Sequence, residues 1–173
     1  GVPDGDDTPS ALLALKKLGA TDLTSIEAAA HWLIDLQNKD GGIPTFCRGW
    51  GKLPFDRSSP DLTVHALRAW SAWVVDLPIL HPQLVKAMTR ALDYLADSQR
   101  SDGAWTPLWF GNQRSEKDEN PVYGTSRVIT GLSELPKGFA DRAAALRTPA
   151  IKWLLEAQNE DGSWGGDKET AGS

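Results

Sequence analysis

The feature that most constrains the fold is a segment that occurs three times along the chain. Each copy has an aromatic residue followed by Leu, then a Gln, then an Asp-Gly turn; the three glutamines, 62 and 59 residues apart, are Gln37, Gln99 and Gln158. Apolar residues before each Gln recur at intervals of three and four, which predicts a helix, and Asp-Gly is a common helix stop. A period of this length accommodates two helices with their loops. The repeat therefore predicts stacked helix pairs.

Three further helical candidates lie between the repeats, with the sequences PSALLALKKLG, PDLTVHALRAWSAW and TSRVITGLSEL. Thr8-Pro9 and Ser59-Pro60 are each typical of an N-cap followed by proline at the first helical position. No segment alternates apolar and polar residues for long enough to predict a sheet. The sequence thus predicts an all-α protein, a partial α/α toroid of alternating inner and outer helices. We expect one domain over residues 1–173, with helix pairs at 1–50, 51–115 and 116–173.

The Gln and Trp residues of the repeat are predicted to be structural. A Gln at the end of an outer helix can bond the backbone of the following turn. Trp105 and Trp164 follow two of the turns and can pack on the next repeat, whereas Ile43 replaces this Trp in the first copy. Trp70 and Trp73 lie within a helical pattern and are predicted to be core residues.

Composition excludes several classes of function. A net charge of -5 without a basic cluster argues against nucleic-acid binding. The single cysteine, Cys47, excludes an internal disulfide and suits a reducing compartment. No apolar run is long enough to span a bilayer. Because the chain starts at Gly1 and ends in GGDKETAGS, we expect it to be a piece of a longer protein.

Three aspartates, Asp4, Asp6 and Asp7, fall within four positions just before the first predicted helix. One interpretation is helix capping, with Thr8 as the N-cap and each nearby charge contributing a few tenths to about 1 kcal/mol. The other is a Brønsted acid, because closely spaced carboxylates cannot all ionise cheaply and one is held protonated. The cluster itself leaves both interpretations open.

A second polar pair, Asp61 and His65, lies at positions i and i+4 near the start of the second predicted inner helix. A carboxylate one turn away favours the imidazolium form of the histidine, which could hydrogen-bond a neighbouring carboxyl group. The alternative is an ordinary surface histidine bridged to Asp61. Because inner helices of neighbouring repeats start at the same end of a toroid, we expect this pair to meet the aspartate cluster.

Aromatic residues are concentrated in the loops before the second and third inner helices. The later loop brings Trp105, Trp109 and Phe110 near Tyr123, and the earlier one contains Phe46, Trp50 and Phe55. Aromatic faces directed into a dry cavity stabilise cations. These loops are therefore predicted to line a cavity in which positive charge develops.

Together these residues resemble the squalene-hopene cyclase family of class II terpene cyclases. The repeats are similar to the family's Gln-Trp motif, and Asp4-Gly5-Asp6-Asp7-Thr8 is similar to its DxDDT acid motif. The segment from Pro60 to Leu67, which contains Asp61 and His65, looks like a family helix that serves the acid. Tyr123-Gly124-Thr125 matches a further landmark, in family order, so the resemblance covers nearly the whole chain.

The resemblance implies a role for each site residue. Asp6 would protonate a terminal alkene, Asp4 and Asp7 would polarise it, His65 would hydrogen-bond Asp6, and Asp61 would orient His65. The residues expected to line the cavity and stabilise carbocations are Trp109, Tyr123, Trp105, Phe110 and Phe46. The implied substrate is squalene or a similar isoprenoid, and the implied reaction uses neither metal nor another cofactor. The family also implies a monotopic protein on the cytoplasmic side of a membrane.

Other classes of protein fit parts of the pattern. A class II diterpene cyclase would use the same acid on geranylgeranyl diphosphate, but the available cations form no clear cluster: Arg48, Lys52, Arg57 and Arg114. A non-catalytic helical-repeat module or degenerate paralogue would not need an intact acid motif. A protein prenyltransferase β-subunit would need a zinc site, and three His and one Cys here lack metal-ligand spacing. The apolar stretch 69–80 is predicted to be the buried end of an inner helix rather than a membrane surface.

Overall fold

The computed structural model describes residues 2–49, 54–113, 115, 117–166 and 168. They contain six α-helices: α1 (Asp7–Lys17), α2 (Leu23–Leu36), α3 (Pro60–Trp73), α4 (His81–Ser98), α5 (Pro121–Ser133) and α6 (Ala140–Glu156). The inner helices α1, α3 and α5 pack side by side with α3 in the middle, and α2, α4 and α6 pack outside them. This arrangement confirms the predicted partial α/α toroid.

Two very short strands depart from the predicted absence of a sheet. β1 (Ile43–Pro44) and β2 (Ser58–Ser59) pair antiparallel, with Ile43 opposite Ser59. Each strand has only two residues, so it leaves no alternating pattern for sequence analysis to detect. Short 3-10 helices also occur at Pro54–Asp56 and Lys137–Phe139. The strand pair holds the loop after α2 against the start of α3.

The core is centred on α3, most of which is buried because helices lie on both sides of it. Trp70 and Trp73 are buried, as predicted. The indole N–H of Trp70 donates to the Ala30 carbonyl at 3.3 Å, and that of Trp73 donates to the Leu12 carbonyl at 2.9 Å. Both tryptophans therefore bury a large apolar ring without leaving a polar group unsatisfied.

The repeat glutamines bind the turn after each outer helix, as predicted, and also reach the next outer helix. In each of the first two repeats the side-chain amide donates to two backbone carbonyls at 2.8–2.9 Å. The acceptors are Gly41 and Ala87 for Gln37, and Gly103 and Leu146 for Gln99. Each glutamine thereby joins the turn of its own repeat to the outer helix of the next repeat.

The residue after the Asp-Gly turn makes the same backbone contact whether it is Ile or Trp. The amide of Ile43 donates to Thr63 Oγ1, and the amide of Trp105 donates to Thr125 Oγ1, both at 2.9 Å. Trp105 adds an indole hydrogen bond of 2.8 Å to the Leu95 carbonyl of its own repeat. Ile43 therefore keeps the register of the repeat and lacks only the indole contact.

Gly41 is required where a turn meets the next outer helix. Its φ is +91°, and a methyl group at its Cα would overlap the carbonyl oxygen of Arg90 in α4. Gly19 also has positive φ, at +69°, but a methyl group there meets nothing within 4 Å. We expect Gly19→Ala to lose about 1 kcal/mol of stability from the left-handed backbone alone. Gly41→Ala should lose about 1–3 kcal/mol more, because of overpacking.

Urea unfolding of the two glycine variants separates backbone strain from the close approach between turn and helix. Both substitutions add the same methyl group to a residue of positive φ, so their difference isolates contact with α4. Equal losses of unfolding free energy in the two variants would contradict the proposed packing role of Gly41.

Candidate functional site

The aspartate cluster lies at the start of α1, and Asp4 provides the cap. Asp4 Oδ1 accepts hydrogen bonds from the backbone amides of Asp6 at 2.9 Å and Asp7 at 2.7 Å. The helix begins at Asp7 with Asp6 in the N-cap position, so Thr8 lies inside the helix. The prediction that Thr8 is the N-cap was wrong, because Asp4 satisfies the amides that the first turn leaves open.

Gly5, the residue before Asp6, packs closely against strand β1. Gly5 is buried, and a methyl group on it would overlap the Pro44 carbonyl of β1, so this motif position accepts only glycine here. Asp6 itself is exposed, and its carboxyl group accepts no hydrogen bond within the described part of the chain. The arrangement leaves one carboxyl of the cluster free to meet a substrate while Asp4 is occupied by the backbone.

The His65 side chain bonds Ser10 of α1, and not the Asp6 carboxyl that the family resemblance implied as its partner. Its side chain is buried, and Nε2 lies 2.9 Å from Ser10 Oγ. Burial lowers the pKa of His65 to about 4, and the positive charges of Arg127 and Arg68 act in the same direction. The ring is therefore neutral near pH 7. This corrects the expectation that Asp61 would favour the imidazolium form.

Asp61 supports the start of α3 instead of orienting His65. Its buried carboxyl accepts a hydrogen bond from Ser59 Oγ. Burial raises the pKa of Asp61, although the Ser59 hydroxyl and backbone amides act in the opposite direction. Ser59 Oγ in turn accepts from the amide of Leu108 at 3.0 Å. Through Ser59, Asp61 fixes the loop that carries Trp109.

One aromatic cluster brings the two predicted loops together. Phe55 lies between Phe46, at 5.2 Å, and Trp109, at 5.1 Å between ring centroids. The Trp109 indole N–H donates to Thr45 Oγ1, which follows β1 directly. These contacts place Trp109 and Phe46 in one cluster, and their role in lining a cavity stays a prediction. Trp50, which was also predicted to contribute, lies outside the described residues.

Phe110 and Tyr123 form a second aromatic pair. Phe110 and Tyr123 have ring centroids 5.0 Å apart. Burial raises the pKa of Tyr123, and the charges of Asp61 and Asp6 add to this rise. The tyrosine hydroxyl is therefore protonated and within the electrostatic field of both carboxyl groups.

Trp105 does not line this region. It is fully buried in the core and its indole N–H is bound to Leu95, so the prediction that it stabilises cations in a cavity was wrong. Its position in the repeat already predicted a structural role. The physical reason is that the turn after α4 directs this side chain between the helices, whereas Trp109, four residues later, lies in the open loop.

Sequence reasoning missed three hydroxyl residues that connect the site, namely Ser10, Ser59 and Thr45. Ser10 follows Asp6 by four residues and so shares its helical face, which was a detectable signal. The partners of Ser59 and Thr45 lie in a distant loop, and no local pattern identifies such partners.

The basic residues weighed for a diphosphate site are partly engaged elsewhere. Arg48 Nη2 donates to the Leu36 carbonyl at 2.9 Å and to the Gln37 carbonyl at 2.6 Å, at the end of α2. Lys52 and Arg114 lie outside the described residues.

Within residues 2–49, 54–113 and the other described positions, three or more His, Cys, Asp or Glu side chains nowhere form a group suited to a metal ion. No helix among those residues has the length and apolarity to cross a membrane.

The architecture and site define a helical-repeat protein of the α/α toroid class with a carboxyl group presented beside aromatic loops. The family model of the squalene-hopene cyclase C-terminal domain matches residues 2–172, and the chain belongs to this family of class II terpene cyclases. This confirms the resemblance drawn from the motifs.

Individual relatives agree with the family. The chain is 32% identical to a copalyl diphosphate synthase of Streptomyces cyslabdanicus, over 95% of this chain and 26% of that protein. It is 30% identical to the squalene hopane cyclase afumA of Aspergillus fumigatus, over 94% of this chain and 27% of that protein. The chain thus spans about a quarter of the length of these curated relatives.

A solved structure supports the fold. The type II terpene cyclase MstE from Scytonema, in its apo form, superposes with a TM-score of 0.52 at 19% identity. The match covers 95% of this chain and 58% of that chain.

Proposed function

We propose that this chain carries the proton-donating acid of a class II terpene cyclase that acts on squalene or a similar polyprenoid. The observation that supports it most is the exposed carboxyl of Asp6 at the start of α1, one helical turn before Ser10, whose hydroxyl lies 2.9 Å from His65 Nε2. A carboxylic acid close to aromatic side chains suits a reaction that begins by protonating an alkene and continues through carbocations.

In the proposed reaction the carboxylic acid of Asp6 gives its proton to the less substituted carbon of a terminal, trisubstituted alkene. The π electrons of that alkene form the new C–H bond, and the cation left on the adjacent carbon is attacked by the next alkene. Ring closures follow until a proton is lost or water adds. Asp4 holds the backbone of the acid turn, and Asp7 contributes a second carboxyl to the cluster.

The aromatic residues are proposed to stabilise the carbocation intermediates. Trp109, Phe110, Tyr123 and Phe46 offer ring faces to developing cations, with Asp61 acting through Ser59 on the loop of Trp109. An electron-rich ring stabilises a nearby cation by up to about 2 kcal/mol when water is excluded. This proposal requires no metal or organic cofactor, because the acid supplies the proton and the alkenes supply all the bonding electrons.

The active enzyme is proposed to be a longer protein in which residues 1–173 form one set of three helix pairs, divided at about residues 50 and 115. The relatives' greater length supports this proposal. Attachment to the cytoplasmic face of a membrane stays a prediction from family resemblance. Vesicle flotation of the full-length cyclase checks it, and a protein that remains at the bottom of the gradient with lipid present would contradict it.

A diterpene cyclase acting on geranylgeranyl diphosphate is the second candidate, supported by the name of the copalyl diphosphate synthase relative. It would use the same acid. Against it, Arg48 already binds two carbonyls at the end of α2. A degenerate, non-catalytic repeat protein is the third candidate, and the intact aspartate cluster weighs against it.

Product analysis of the full-length cyclase separates these candidates. We expect incubation with squalene to yield a cyclic C30 hydrocarbon or alcohol, detected by gas chromatography and mass spectrometry. A parallel incubation with geranylgeranyl diphosphate is treated with phosphatase before extraction. If a cyclic C20 alcohol is the only product, Asp6 is the acid of a diterpene cyclase. If neither substrate gives a product, both cyclase assignments are contradicted.

A further inference from the structure

The indole ring of Trp109 has two neighbours that come from the two ends of one loop. Its N–H donates to Thr45 Oγ1, and the Phe55 ring lies 5.1 Å away between centroids, at an interplanar angle of 31°. The backbone amide of Thr45 donates to the Phe55 carbonyl at 3.2 Å, so the two neighbours are held side by side. The loop therefore contacts both an edge and a face of the ring.

These two contacts restrain the ring in different ways. Contact between aromatic rings is attractive over a range of offsets and tilts, so Phe55 covers one face of the indole without fixing its rotation. A hydrogen bond is directional. The indole nitrogen can only donate, so Thr45 Oγ1 is its acceptor at any pH at which the protein is folded. The Thr45 hydroxyl therefore determines which edge of Trp109 is turned towards β1.

The backbone that carries Trp109 is held separately. The Leu108 amide donates to Ser59 Oγ at 3.0 Å, and Ser59 belongs to β2, which pairs with β1 just before Thr45. This bond places the loop, but the side-chain torsions of Trp109 lie beyond it and are not fixed by it. Thr45 accordingly acts on the ring, and Ser59 acts on the chain that carries the ring.

The orientation of the ring matters because an aromatic ring is negative on its faces and positive at its edge. A cation is attracted when it lies over a face, within about 6 Å of the centroid. With Phe55 against one face, the opposite face is the one that can meet a carbocation. We propose that Thr45 is a positioning residue, which holds this face of Trp109 towards the intermediates and thereby determines how far cyclisation proceeds. This inference rests on the proposed cyclase function.

The consequence is a change in products rather than in substrate binding. Each carbocation is either attacked by the next alkene, which forms a C–C bond, or ended early when it loses a proton to water or when water adds and then loses a proton. A ring closure that places positive charge beside Trp109 is slower when the indole is turned away. Early ending of the preceding cation is not slowed, so incompletely cyclised products accumulate.

NMR of the full-length cyclase, labelled with ¹⁵N in its tryptophan indoles, tests the contact independently of activity. The Trp109 signal is assigned by its loss in Trp109→Phe. Thr45→Val replaces the hydroxyl by a methyl group of similar size and suits an extended backbone. In this variant we expect the Trp109 indole proton to move upfield and to exchange with water about tenfold faster, as for one lost hydrogen bond. Thr45→Ser keeps the hydroxyl and should retain the wild-type signal.

Product analysis measures the catalytic consequence with the polyprenoid that the enzyme cyclises. In Thr45→Val the ratio of incompletely to fully cyclised products should rise about three- to tenfold with KM unchanged, because one hydrogen bond is lost. Thr45→Ser should keep the wild-type ratio. In the Trp109→Phe background Thr45→Val should have no further effect, because phenylalanine has no N–H for Thr45 to accept.

Thr148→Val is the matched control, since it removes a hydroxyl bound to the Ala144 carbonyl on outer helix α6. It should change neither readout. The proposal is overturned if Thr45→Val leaves the Trp109 indole signal or the product ratio as in the wild type. It is also overturned if Thr45→Val changes the ratio equally with and without the Trp109 indole, since Thr45 would then not act through that ring.

The two proposals fail separately. If the full-length protein cyclises neither squalene nor geranylgeranyl diphosphate, the cyclase function is lost and the catalytic role of Thr45 falls with it. If cyclisation is observed and Thr45→Val gives the wild-type product ratio, only the role of Thr45 is lost.

Discussion

The Asp6→Asn variant of the full-length cyclase is expected to have a turnover about a hundred to ten thousand times lower than that of the wild type. General-acid catalysis typically contributes a rate factor of this size. The side-chain amide has nearly the same shape as the acid but no proton that it can donate to an alkene. Asp6 is exposed and its carboxyl accepts no bond among the described residues, so the fold should be unaffected. Substrate turnover and the circular dichroism spectrum measure the two effects.

Asp35→Asn is the matched control for the acid. This substitution makes the same chemical change on outer helix α2, where Asp35 pairs with His31 at 3.1 Å on the exposed surface. Its turnover should equal that of the wild type. If Asp6→Asn cyclises substrate at the rate of Asp35→Asn, then Asp6 is not the acid, and the aspartate cluster serves only to begin α1.

The Trp105→Ala variant is expected to lose about 3–5 kcal/mol of stability around the second and third repeats. Trp105 is fully buried in the main core, and its indole N–H is bound to the Leu95 carbonyl at 2.8 Å. Truncation leaves a cavity that rigid helices on several sides cannot close. Amides of α4 should then exchange hydrogen at least about a hundredfold faster, since each 1.4 kcal/mol is a factor of ten.

Trp105→Phe distinguishes packing from the hydrogen bond. Phenylalanine keeps most of the apolar ring and loses only the indole donor, so the loss should be nearer 0.5–1.5 kcal/mol. If Trp105 lined the cavity instead, Trp105→Ala would lower turnover without changing exchange in α4. If the amides of α4 exchange as slowly in Trp105→Ala as in the wild type, Trp105 does not belong to the core.

The repeat explains why the fold was predictable. Three copies of the Gln and Asp-Gly pattern indicate helix ends, and the helical spacing before them indicates which segments pair. These are local features within a few turns of each helix. The exact start of α1 was missed because Asp4, three residues before Asp7, reaches the first amides ahead of Thr8. The strand pair was missed because Ile43 and Ser59 are distant in sequence and each strand is too short to show a pattern.

The residues of the site were predictable to a different extent. Asp6, Asp61 and His65 belong to motifs, and their presence near one end of the inner helices followed from the repeat. Their bonding partners did not. A helical spacing of four suggested that Asp61 would charge His65, yet each of the two groups bonds a serine instead. Spacing along one helix says which side chains share a face, but not which neighbouring helix or loop offers a better partner.

By itself, the sequence determined the all-α class, the helix pairs and the acidic motif, because periodicity and turn chemistry act over short distances along the chain. The tertiary structure alone decided that His65 is neutral and that Trp105 belongs to the core rather than the cavity. Burial is the physical reason for both. It depends on how α1, α3 and α5 pack together, and it sets the energy of a charge or an aromatic ring at each position.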